Sequence, residues 1–69
     1  MEALANREIS LINEYEVAEL LCVSVKTVRR WRTVDRGPRY LKIGRLVKYR
    51  REAVNEFLDS IPVQGGESK

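Results

Sequence analysis

Lys26, Thr27, Arg29 and Arg30 share one short stretch, and Lys42, Arg45 and Lys48 follow at intervals of three, with Ser24, Arg32, Arg36 and Arg39 around and between the two groups. Side chains of these types bind polyanions. A lysine supplies a point charge, and an arginine supplies a planar fork of donors that matches a phosphate or the acceptor edge of guanine. The two groups belong to a larger polarisation. Between Cys22 and Arg51 the chain carries eleven of its thirteen basic residues and a single acid, Asp35; that stretch has a net charge of +10, the remainder −7, and the total is only +3. Such a stripe attracts duplex nucleic acid, because neutralised phosphates release their condensed counterions. A merely solvated basic face is the plain alternative, and the pattern around the charges has to decide between the two.

The same composition argues against catalysis. The chain has no histidine, which removes the commonest general base and every Ser-His or Cys-His pair. Its one cysteine, Cys22, has no partner for an internal disulfide and no histidine with which to share zinc, so it reads as a small structural residue. Glu14, Glu16, Glu19, Glu52 and Glu56 lie in stretches that read as exposed helix surface. The expectation is a protein without enzymatic activity, metal or cofactor. No apolar run approaches the roughly 20 residues of a membrane span, and Met1 to Ser10 lacks the pattern of a signal peptide. No membrane partner is expected, and the expected location is cytoplasmic.

These cations need a scaffold, and 69 residues allow one small domain. Residues 1–9 lack periodicity and read as a flexible lead-in, residues 10–61 as the working domain, and residues 62–69 (PVQGGESK) as a flexible tail. Asn13, with Glu16 three residues on, has the spacing of a capping box, and Ile12 can staple onto Val17. Val17, Ala18, Leu20 and Leu21 then form the apolar stripe of a first helix. Ser24 caps a second helix, with Val25, Val28 and Trp31 inward and Lys26, Thr27, Arg29, Arg30 and Thr33 outward. Cys22 and Val23 alone separate the first helix from the Ser24 cap, which is the outline of a helix-turn-helix.

Gly37-Pro38 is read as the stop of the second helix. The β-like runs Tyr40 to Ile43 and Leu46 to Arg50 flank Gly44-Arg45, a glycine-first tight turn that makes a wing with Arg45 at its tip. Ala53, Val54, Phe57, Leu58 and Ile61 repeat at helical spacing and predict a third helix over Glu52 to about Ser60 that closes the core. The fold class is mainly α with a small β-hairpin, a winged helix-turn-helix of three helices and a two-stranded wing.

The order Ile12-Asn13, Val17-Ala18-Glu19-Leu20-Leu21 and Val23-Ser24-Val25-Lys26-Thr27-Val28-Arg29-Arg30-Trp31, followed by Leu41 to Glu52 and by Val54, Phe57 and Leu58, resembles the small winged helix-turn-helix family that includes phage excisionases and MerR-like DNA-binding domains. Two positions depart from it. Cys22 stands where glycine is usual in the turn, and Arg51 stands where a Ser or Asp cap would be usual on the closing helix. MerR-like regulators append a long dimerisation helix, and this chain ends eleven residues after Leu58, so the resemblance points to the stand-alone members. It implies an architectural double-stranded-DNA-binding protein that bends DNA, associates cooperatively with itself on DNA and works with an integrase to set the direction of site-specific recombination. The setting would be a bacterial or phage-infected cell, at the nucleoid. A small transcription regulator with the same surface is the alternative, and a protein-interaction adaptor a more distant one.

On that fold, Lys26, Thr27, Arg29 and Arg30 are expected in the major groove, with Lys42, Arg45 and Lys48 of the wing at the minor groove and its backbone. Ser24, Arg32, Arg36 and Arg39 are candidate backbone contacts. Trp31 is assigned to the core rather than to base stacking, because it lies one turn after Val28 on the inward stripe.

Overall fold

Asn13 and Glu16 cap each other: Asn13 Oδ1 accepts from the Glu16 N–H at 2.8 Å, and Glu16 Oε1 accepts from the Asn13 N–H at 2.9 Å. With two of its otherwise unpartnered amides satisfied, the first helix, α1, runs Glu14–Leu21. The computed structural model of the protein describes residues 10–65. The lead-in expected at 1–9 and the last part of the tail, 66–69, lie outside the described residues.

The helix ends on a left-handed residue. Cys22 has φ 58° and ψ 42°, the Val23 N–H reaches back to the Ala18 carbonyl at 2.9 Å, and the Cys22 N–H to that of Glu19 at 3.2 Å. This is the Schellman arrangement, which normally carries glycine at the left-handed position. The chain then turns into Ser24, whose Oγ accepts from the Thr27 N–H at 3.1 Å and starts the second helix, α2, Val25–Thr33.

The sequence reading placed the stop of α2 at Gly37-Pro38, but the helix closes earlier. Asp35 takes φ 58°, and the Arg36 N–H returns to the Trp31 carbonyl at 2.7 Å. Gly37, at φ 81°, instead lets the connection pass close beneath the Trp31 ring.

The wing pairs β2, Leu41–Ile43, with β3, Leu46–Arg50, in the register Leu41↔Lys48, Lys42↔Val47 and Ile43↔Leu46. Gly44 has φ 62° and Arg45 does not share the left-handed region, as a glycine-first two-residue turn requires. A further strand, which the sequence reading had not foreseen, adds to the base of the wing. Leu11–Ile12 forms β1 and pairs antiparallel with β3 through Leu11↔Arg50 and Ile12↔Tyr49, so the sheet order is β1-β3-β2. The third helix, α3, follows directly as Arg51–Ser60. Its cap residue is Arg50, one position before the site expected from sequence, and no side chain caps it.

Ile12, Val17, Ala18, Val28, Tyr49 and Val54 form the buried core, with Leu21, Val23, Val25, Trp31 and Val47 packed around it. Trp31 meets Phe57 of α3 with ring centroids 5.4 Å apart, in the tilted geometry aromatic pairs favour. The inward stripes are narrower than their hydrophobic sequences suggest. Leu20, Leu58 and Ile61 are 48%, 49% and 46% exposed, because one small sheet and two short helices cannot cover the outer flanks of α1 and α3. No helix among the described residues is long and apolar enough to cross a membrane.

Candidate nucleic-acid interface

The period of α2 separates an inner row, Val25, Val28 and Trp31, from an outer row at Lys26, Arg29, Arg30 and Thr33. Lys26 and Arg30 lie one turn apart, both exposed, and neither forms an ion pair or side-chain hydrogen bond among the described residues. Their charges are therefore available to an external anion. Thr27 is half-buried, and its Oγ1 lies 3.0 Å from Ser24 Oγ, so the hydroxyls of Ser24 and Thr27 belong to the start of the helix as well as to its outer side. At the other end of the helix, Thr33 Oγ1 donates to the Arg30 carbonyl at 2.7 Å.

Arg29 and Arg32 are arranged differently. Glu14, at the first position of α1, takes both. Arg29 Nη2 and Nε donate to Glu14 Oε2 at 2.7 and 3.2 Å, and Arg32 Nη2 donates to Glu14 Oε1 at 3.0 Å. Arg29 Nη2 also donates to the Tyr15 hydroxyl at 3.0 Å, with the guanidinium 5.6 Å from the centre of the Tyr15 ring. Arg32 turns inward: its Nη1 donates to the buried Tyr49 hydroxyl at 3.0 Å, and its guanidinium lies 5.8 Å from the centre of the Tyr40 ring.

The electrostatics follow from this geometry. The Arg29 hydrogen bond, reinforced by Arg32, holds the Glu14 carboxyl below the usual carboxylate range despite the opposing effect of burial. Arg29 is pushed up, first by its hydrogen bond to Glu14. Burial works to lower Arg32, but hydrogen bonds to Tyr49 and Glu14 outweigh it and the net shift is upward.

On the wing, cross-strand partners share a face. Lys42 therefore stands on the side of Val47 and Tyr49, and Lys48 on the opposite side with Leu41, Ile43 and Leu46. Arg45 projects from the tip, exposed, so the three cations of the wing surround it rather than forming one row. A groove of about 320 Å³ between the start of α1 and β3 is lined by Asn13, Glu14, Tyr15, Arg32, Arg45 and Lys48, so that Arg32 of α2 and two cations of the wing border the same space. Arg36 and Arg39 are exposed on the connection from α2 to β2, and Arg51 Nε donates to Ser10 Oγ at 3.2 Å.

Sequence reasoning missed the organising acid. Glu14 reads locally as a favourable charge at a helix start, and nothing in its neighbourhood signals partners 15 and 18 residues away. Tyr15 and Tyr49 were likewise missed as anchors for arginines of α2.

Residues 16–61 match the family described as Helix-turn-helix domain. The chain belongs to that family. No curated protein matches the sequence. The match begins inside α1 and extends to the first residue after α3, so this helix-turn-helix domain includes the wing as well as the two helices that give the family its description. It is a DNA-binding domain, and α2, the second helix of the helix-turn-helix, carries its outer row of cations.

Proposed function

We propose that this domain binds duplex DNA sequence-specifically as an architectural protein of excisionase type, with α2 in the major groove and the wing at the adjacent minor groove. The observation that carries the binding mode is the exposed pair Lys26 and Arg30 on α2, unpaired among the described residues, with Arg45 at the tip of a hairpin whose base is fixed to the same core. A compact module with two separated cationic contacts can grip a duplex at two points and stabilise a bend between them. In this reading Lys26, Thr27, Arg29 and Arg30 face base edges and flanking phosphates. Lys42, Arg45 and Lys48 serve the wing, and Ser24, Arg36 and Arg39 meet the backbone. The excisionase assignment, with an integrase as partner, cooperative self-association on DNA and control of recombination direction, is supported by the resemblance of the motifs from Ile12 to Leu58.

The test is selection of bound duplexes from a random pool, followed by integrase-dependent excision assays on a substrate carrying the selected site, with and without the protein. Stimulated excision supports the excisionase reading. Binding to promoter-proximal sites with no effect on excision would instead make the domain a transcription regulator. A log-affinity plot flat against log salt on every duplex would contradict phosphate engagement altogether.

A further inference from the structure

Glu14 is the one acid among the described residues that forms ion pairs, and both of its partners come from the helix that carries the outer row of cations. Its side chain is 17% exposed and that of Arg32 18%, whereas Arg29 remains 49% exposed. A guanidinium has five N–H donors. Nε and Nη2 of Arg29 are taken by Glu14 and Tyr15, while Nη1 has no partner among the described residues. Arg29 is thus held by one edge and offers the other outward. Arg32 is held on both sides, by Glu14 and Tyr49, and offers little.

We propose that Glu14 is a positioning residue that sets DNA discrimination. It fixes Arg29 in one orientation with a single free edge, and it offsets positive charge on α2 that would otherwise draw any phosphate. The inference rests on the DNA-binding reading above. Non-specific affinity is set by the number of phosphates engaged, and specific affinity by donors held in the right geometry. A carboxylate that restrains an arginine and offsets its charge lowers the first and preserves the second. The position of Glu14 suits this role, since it lines the same groove as Arg32 of α2 and Arg45 and Lys48 of the wing.

The experiment compares the whole protein with Glu14→Gln and Tyr15→Phe on two duplexes of equal length, one selected from a random pool and one with the same bases scrambled, across a salt series. Glu14→Gln is expected to bind the scrambled duplex more tightly, with a salt slope steeper by about 0.9, the value for one more phosphate. Its preference for the selected duplex should fall by about tenfold, the order of one lost base contact. Tyr15→Phe removes only a hydroxyl from an exposed ring, so it remains folded even if Glu14→Gln melts below the assay temperature. It should lower the preference while leaving the slope unchanged. Wild-type slope and preference in Glu14→Gln, or a wild-type preference in Tyr15→Phe, would overturn the proposal. Failure of the underlying reading is distinguishable, because the unmodified protein would then show no salt dependence on either duplex.

Discussion

Gly37 lies so close to Trp31 that a Cβ added to it would stand 2.7 Å from Cε3 of the indole, and its φ of 81° is one that side chains rarely adopt. The connection between α2 and the wing therefore passes where only a residue without a side chain fits. Gly37→Ala should destabilise the domain by about 2 to 3 kcal/mol, through backbone strain and displacement of the tryptophan. In thermal unfolding this corresponds to a midpoint lower by roughly 10 to 15 °C for a domain of this size. A midpoint within a degree of the unmodified protein would show that the ring can move aside at no cost.

Cys22 presents the converse case. It holds the left-handed position of the turn between α1 and α2 without being glycine. Relief of that strain exceeds the entropy that glycine adds to the unfolded chain, so Cys22→Gly should stabilise by about 0.5 to 1 kcal/mol. Chemical denaturation checks this through a higher midpoint with an unchanged slope. Binding to DNA should be unaffected, because the side chain is not part of the cationic surface.

The lowered pKa of Glu14 makes an acid-sensitive contribution. The folded protein binds the Glu14 proton more weakly than the unfolded chain, so the stability gained from Arg29 and Arg32 is complete above the ordinary glutamate value of about 4.3 and is lost as pH falls through the lower folded value. Urea midpoints for the unmodified protein and Glu14→Gln should differ at pH 7, keep that difference to about pH 5, and converge in stronger acid. A difference constant from pH 7 to pH 3 would mean that the carboxylate is not paired in solution.

Arg30 and Arg45 should separate by kind of contact. Arg30→Ala is expected to weaken binding to a selected duplex by about 1 to 3 kcal/mol and to relax preference at one base position. Arg45→Ala should weaken all duplexes alike and lower the salt slope by about 0.9. Competition binding against single-base variants of the selected site reads both. Constants unchanged on every duplex would remove the substituted residue from the surface.

Sequence was a good guide wherever the cause was local. The reciprocal bonds of Asn13 and Glu16, the Ser24 cap and the glycine-first turn each depend on residues within a few positions, and each is found where its spacing predicts. Trp31 also follows from helical period, as its packing against Phe57 shows. What escaped is set by the fold as a whole. β1 exists only because Tyr49 and Arg50 arrive beside Leu11 and Ile12, and the engagement of Arg29 and Arg32 exists only because α1 starts beside α2. The exposure of Leu20 and Leu58 has the same origin, since an apolar residue at helical spacing is buried only if something lies opposite it. The cationic stripe was therefore legible as a charge, but not the division of its arginines between free and restrained.

β1 contributes only two residues, yet it converts the hairpin into a lever on a fixed pivot. β3 is gripped by β2 towards the tip and by β1 at its root, so Arg45 swings, if at all, about an anchored base. The reach from Lys26 and Arg30 to that tip is thus gauged by a segment that touches neither. A chain cut ahead of Asn13 would keep every cation of the surface and lose the ruler that spaces them.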